Sequence, residues 1–98
     1  MTLEERILGK TFAGITFGEY SAGISFSDGS AFAVFTRIRC DIVEQEDCTV
    51  TECVFNDEKA WMKIGSDSTV EISMDANDLV GPEFYAFCDV DGTWVVAN

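Results

Sequence analysis

"ITFGEYSAGISFSDGSAF" runs from Ile15 to Phe32, and a fainter version of it, "CVFNDEKAWMKIGSDSTV", returns from Cys53 to Val70. In the first copy the apolar residues recur with a period of two. Ala13, Ile15 and Phe17 alternate with small or polar residues, and Tyr20, Ala22, Ile24 and Phe26 alternate with Ser21, Gly23, Ser25 and Ser27. That is the pattern of strands with one buried face. The "SDGS" that follows sets the register. A two-residue Asp-Gly loop would pair Phe26 with Ala31 and throw Phe32 and Val34 onto the polar face. A three-residue loop, Ser27-Asp28-Gly29 with Gly29 left-handed at a bulge, pairs Phe26 with Ser30 and sets Phe32 and Val34 beside Ile24 and Ala22. The hydrophobic pattern selects the longer loop.

The second copy obeys the same rule at an offset of 38: Phe17 aligns with Phe55, Ala22 with Ala60, Ile24 with Met62, Phe26 with Ile64, Ser30 with Ser68 and Phe32 with Val70. Its loop is Gly65-Ser66-Asp67, which puts Asp67 at the left-handed position held by Gly29, a conformation Asp tolerates better than most residues. An internal repeat over residues 12–36 and 50–74 follows. One three-stranded unit exposes an apolar face that it cannot bury alone, and two units can cover each other.

Outward from the repeats, "TRIRCDIV" carries the first unit into the polar link "EQED", read as the junction between halves. "DANDLVGP" reads as a turn or single helical turn capped by Asp75, and "EFYAFCDVDGTWVV" as a last hairpin turning at Asp91-Gly92. At the start, Thr2 and Glu5 form a capping box, Glu4 and Glu5 favour the helix N-terminus, Leu3, Ile7 and Leu8 share a face, and Gly9 stops the helix. The expected fold is mainly β with one short N-terminal helix. Its antiparallel, curved sheet forms a small barrel or two-layer sandwich from two duplicated three-stranded units, with residues 1–98 as a single domain.

A hydrophobic fraction of 47% with eight Phe, two Trp and two Tyr is ample for a core, so the acidity does not signal disorder. Apolar runs are short and broken, and "MTLEERIL" carries acids where a signal peptide needs bases, so a cytoplasmic protein without a membrane segment is expected. Cys40, Cys48, Cys53 and Cys88 match no C-x-x-C spacing, and the chain has no His, so zinc is not expected. Cys53 and Cys88, in apolar strand patterns, read as small buried hydrophobes.

The charge is lopsided. Residues 1–39 balance Arg6, Lys10, Arg37 and Arg39 against Glu4, Glu5, Glu19 and Asp28. Residues 40–98 set fourteen acids against Lys59 and Lys63 and so carry the whole net charge of −12. The acid is densest through Asp41, Glu44, Glu46, Asp47, Glu52, Asp57 and Glu58, with no base among them. Such a field repels nucleic acid and anionic membranes and attracts a basic protein.

Catalytic patterns are absent. Without His there is no Ser-His-Asp or Cys-His nucleophile. Neither "DANDLVGPE" nor "DVDGT" has calcium-loop spacing, and no glycine-rich phosphate loop occurs. No enzyme, metal or cofactor is expected. Trp61 falls on the strand face shared with Lys59 and Lys63 and reads either as cover for a core edge or as an aromatic interface anchor. Trp94 reads as a core or barrel-end residue, and Tyr20 and Tyr85 as strand packing.

"LGKTFAGITFGEYSAGISFSDGSAF" and "GPEFYAFCDVDGTWVV" together resemble small β-rich bacterial immunity proteins, encoded beside polymorphic or contact-dependent toxins. The resemblance rests on Leu8-Gly9-Lys10, the Phe26 to Ser30 hairpin, and Gly81-Pro82-Glu83 before the last hairpin. It implies a cytosolic inhibitor of a toxin domain with no catalysis of its own. An acidic inhibitor suits a nuclease toxin, whose substrate surface is basic, so Asp41 to Glu58, with Trp61, is the expected partner-binding region. Two alternatives stand beside it: a phage or mobile-element nucleic-acid mimic that blocks a CRISPR or restriction complex, and a small ligand-binding β-barrel, which would need a deep pocket.

Overall fold

The computed structural model describes residues 1–98. Helix α1 (Leu3–Ile7) is followed by nine strands: β1 (Phe12–Phe17), β2 (Ala22–Phe26), β3 (Ala31–Val34), β4 (Ile38–Asp41), β5 (Val50–Phe55), β6 (Ala60–Ile64), β7 (Ser68–Ile72), β8 (Tyr85–Cys88) and β9 (Trp94–Ala97). A single 3₁₀ turn, Ala76–Asp78, interrupts the connection between β7 and β8. The strands form two antiparallel sheets, β1-β2-β3-β8-β9 and β4-β7-β6-β5. One cluster of sixteen buried side chains from both sheets and α1 lies between them, as in a two-layer sandwich.

The offset of 38 is obeyed by the backbone. β1 and β5, and β2 and β6, have equivalent ends. A β-bulge between Phe12 and Gly14 in β1 recurs between Val50 and Glu52 in β5. At the corner where the two sheets meet, Thr11 bridges its own equivalent, Thr49. The flanking bonds are mirror partners: Phe12 N–H donates to Cys48 O at 2.9 Å and Val50 N–H to Lys10 O at 2.8 Å. Ser27 N–H to Thr11 O and Gly65 N–H to Thr49 O repeat the relation, both at 2.8 Å. The two units are thus related by a local pseudo-twofold axis through Thr11 and Thr49. Each supplies the apolar face that the other lacks, and Ile24, Phe32 and Val34 on one side meet Met62, Val70 and Ile72 on the other.

The fourth strand of each unit is exchanged. β4 leaves the first unit to pair with β7, and β8 leaves the second to pair with β3. The chain changes sheet at Phe35–Arg37, between β3 and β4, whereas "EQED" links two strands of the same sheet. Exchange of this kind ties both units into one core, since neither sheet is complete without a strand from the other half.

Both hairpin registers agree with the hydrophobic pattern: Ile24 faces Phe32, and Met62 faces Val70. Gly29 takes φ +95°, as the three-residue loop requires. In the second loop Gly65, not Asp67, takes the positive φ, +59°. Glycine pays no Cβ penalty there, so the left-handed residue moves to the first loop position. The last hairpin repeats the first type, with Gly92 at φ +87° and Asp89 N–H bonded to Thr93 O.

Five side chains differ from expectation. The bulge lets Phe12 and Ile15, three residues apart, face the core together and turns Ala13 to solvent. Phe17, beyond the covered part of β1, is 64% exposed, and Tyr20, at the β1–β2 hairpin tip, is 72% exposed. Leu8 lies after the helix C-terminus and is exposed, while Leu3 and Ile7 are buried. Trp94 is 63% exposed because β9 is an edge strand whose alternate residues, Val95 and Ala97, turn to the core. The capping box of Thr2 and Glu5 and the Asp75 cap of the 3₁₀ turn form as expected, and Tyr85 is buried.

Candidate functional site

The acidic stretch is divided by the fold. β5, β6 and β7 form a meander, so the β6–β7 turn at Gly65–Asp67 and the β5–β6 turn at Asn56–Lys59 lie at opposite ends of β6, about 15 Å apart by strand rise. The loop from Ile42 to Thr49 wraps the first of these turns. Gln45 anchors it: Nε2 donates to Ile64 O at 3.1 Å and to Ser68 Oγ at 2.8 Å, and Oε1 accepts from Ser66 N–H at 3.4 Å. Val43 N–H donates to Ser68 Oγ, and Gly65 N–H to Thr49 O. Glu44, Glu46 and Asp47 are consequently held, exposed, around the turn that carries Asp67. Asp41 pairs with Thr69 and Glu52 with Lys63, one or two residues from the same turn.

Six carboxylates, those of Asp41, Glu44, Glu46, Asp47, Glu52 and Asp67, thus gather at one end of the second sheet. Of these only Glu52 has a cation within 4 Å, Lys63 Nζ at 3.8 Å. Hydrogen bonds from Thr49 hold the Asp47 carboxyl below the usual carboxylate range and keep it charged. Asp57 and Glu58 sit at the other end, where Asn56 Oδ1 accepts from the Glu58 and Lys59 N–H groups. Their surroundings are mixed in sign: Glu58 borders a groove of about 520 Å³ with Arg37, Arg39, Lys59 and Asp75.

Trp61 stands between the two ends on the outer face of the second sheet, opposite Val54 and Glu71 and outside the core cluster. Lys59 Nζ lies 5.2 Å from its ring centroid, a cation–π contact that fixes both side chains. With Arg39, Asp41 and Glu71 they line a shallow groove of about 500 Å³.

Arg6 and Lys10 of the first half are paired within the fold. Arg6 bridges Asp89 at 2.9 Å and Asp91 at 3.1 Å, and Lys10 bridges Asp89 at 3.0 Å and also Asp28. This chain of five groups ties the exit of α1 to the β2–β3 and β8–β9 turns. Asp28 also accepts from the N–H and Oγ of buried Ser30; Lys10 above all, and then these two bonds, lower its carboxyl to about 2. Asp91 is likewise lowered to about 2, chiefly by Thr93 and then Arg6. Burial opposes the charge on Asp89, yet Arg6 and Lys10 outweigh it and its carboxyl is lowered. The aspartates of "DVDGT" therefore serve an internal ion-pair network.

Asp67 escaped the sequence argument because the turn brings it to the acidic loop from outside the dense stretch. A second feature, a groove of about 340 Å³ beside Phe17, Tyr20 and Val80, also escaped it, since Phe17 and Tyr20 read as strand packing. Buried Thr36 borders this groove with its hydroxyl unpartnered. All four cysteines are free: Cys40 is exposed and Cys48 half-buried, and Cys53 and Cys88 are half-buried rather than buried as expected. Burial pushes the Cys53 thiol up to about 11. No group of three or more Cys, Asp or Glu side chains is gathered as metal ligands, and no helix is long and apolar enough to cross a membrane. Comparison with protein-family models, curated proteins and solved structures finds no match to this chain.

Proposed function

We propose that this protein acts by binding, not catalysis: it is an acidic inhibitor of immunity type that works in the cytoplasm and neutralises a basic partner, a nuclease toxin domain. The observation that carries this reading is the uncompensated acidic end of the second sheet. Arg6 and Lys10 are consumed by Asp28, Asp89 and Asp91, and Arg37 by Asp78 at 3.3 Å, whereas five of the six carboxylates around the β6–β7 turn have no cation within 4 Å. Gln45 holds their loop in one conformation, which lowers the ordering cost of association. A field of this sign speeds encounter with a basic cleft by about 10- to 1,000-fold.

The geometry favours a local patch over a mimic of nucleic acid. A phosphate-like row should extend along the molecule, but Trp61, Lys59 and Arg39 interrupt the acids across the outer face. A ligand-binding barrel is favoured by nothing in the architecture, since the space between the sheets is filled by the core cluster.

The test is a pull-down from lysate of the source cell with the native chain and with a Glu44→Lys, Glu46→Lys, Asp47→Lys variant, washed at about 0.1 M and about 0.5 M salt, between which screening changes strongly. The reading expects one basic protein retained by the native chain at low salt, weakened at high salt and lost with the variant. Equal retention by both chains, or no specific protein at either salt, would refute it.

A further inference from the structure

The pseudo-twofold axis leaves one place unfilled. β1, β2, β3 and β8 correspond to β5, β6, β7 and β4, but β8 is covered on its far side by β9 and nothing covers β4. We propose that a second copy of this chain fills that place, through antiparallel pairing of β4 with β4 of the partner.

The backbone is prepared for it. Ser73 N–H donates to Arg37 O, and Val43 bonds through both its N–H and its carbonyl with Ser68 Oγ. In an antiparallel ladder the alternation then turns Arg39 and Asp41 toward β7 and points the N–H and C=O groups of Ile38, Cys40 and Ile42 outward. In the other half Phe87, which matches Cys40 through the equivalence of β4 with β8, turns its groups to Val95 of β9. β9 runs antiparallel to β8, the same sense that a twofold axis imposes on two copies of β4.

Charge selects the register. Outward-pointing residues must face each other, so the twofold axis passes through residue 39, 40 or 41. An axis at Arg39 sets Arg39 against the partner's Arg39, and an axis at Asp41 sets two aspartates together; both oppose like charges. An axis at Cys40 pairs Arg39 with the partner's Asp41, Asp41 with the partner's Arg39, and Ile38 with the partner's Ile42. Arg39, Cys40, Asp41 and Ile42 are exposed, so nothing in the chain competes for this pairing. It would also cover the free β4 edge of the second sheet, a hazard that sheet proteins otherwise block.

The axis at Cys40 supplies its own reporter. Opposed residues of a hydrogen-bonded antiparallel pair have Cα atoms about 5.5 Å apart, within the span that a disulfide bridges. The experiment is sedimentation equilibrium of the reduced native chain, of Arg39→Asp, of Asp41→Arg and of the double exchange, with circular dichroism to confirm folding, followed by diamide oxidation of the native chain and of Cys40→Ser. The native chain should dimerise. Each single reversal should weaken the dimer by about tenfold or more through two like-charge contacts, and the double exchange should restore it. Oxidation should link native dimers and leave Cys40→Ser unlinked. A native chain that stays monomeric would overturn the proposal and leave the edge to a strand of another protein. A dimer indifferent to the reversals, not restored by the double exchange, or linked through another cysteine would overturn this interface.

Discussion

Replacing Gly65 by Ala tests whether the acidic loop is held by the fold or merely drawn beside it. A Cβ at residue 65 would overlap Gln45 Oε1 and lie 2.5 Å from Asp47 O, and the residue has φ +59°. Gly29, at the matching hairpin of the other unit, has φ +95° and nothing within 4 Å of an added Cβ. Gly29→Ala therefore costs only the left-handed conformation, about 1 kcal/mol. Gly65→Ala costs that and displaces the loop, with loss of the Gln45 bonds to Ile64 O and Ser68 Oγ at about 1 kcal/mol each. The total is about 3 kcal/mol. For a domain of this size the two variants should melt about 5 °C and about 15 °C below the native chain in a calorimetric scan. Gln45→Ala in the Gly65→Ala background should add little, because the same bonds are already broken. Equal losses at Gly29 and Gly65 would show that the loop carrying Glu44, Glu46 and Asp47 is not docked.

Three further outcomes follow from the charges and thiols. The lowered carboxyls of Asp28 and Asp91 contribute stability that is present above the unfolded value, about 3.9, and is lost as pH falls through their folded values of about 2; melting temperature should fall across that window, and less steeply in Asp28→Asn. Lys10→Met, which strips Asp28 of its cation and leaves Asp89 to Arg6 alone, should lower unfolding free energy in urea by about 2 kcal/mol. Titration of the native chain with a disulfide reagent at neutral pH should modify Cys53 last of the four cysteines, because Cys53 is half-buried and its thiol is raised to about 11.

The duplication was legible because it is written in local pattern. Phe26, Ile24, Phe32 and Val34 can share a face only with a three-residue loop, and their equivalents recur 38 residues on. Exchange of the fourth strands was not legible, since "IRCD" and "YAFC" name no partner and their pairing is decided by a three-residue crossover at Phe35–Arg37. The bulge hid behind an odd spacing: Phe12 and Ile15 reach one face only when a residue is added between them. At the candidate site the charge density from Asp41 to Asp47 was readable, but a linear stretch does not reveal that β6 separates it from Asp57 and Glu58. Nor does it reveal that a turn restores Asp67 to the cluster.

The most direct test of the account compares the two ends of β6 at matched charge. Association of the purified basic partner would be followed by stopped flow at low ionic strength with Glu44→Lys, Glu46→Lys and, separately, with Asp57→Lys, Glu58→Lys. Both variants change net charge equally, so any difference locates the patch. The account predicts a fall of about tenfold or more in association rate for the first pair and a several-fold smaller effect for the second. Equal effects, or a larger effect at Asp57 and Glu58, would contradict it.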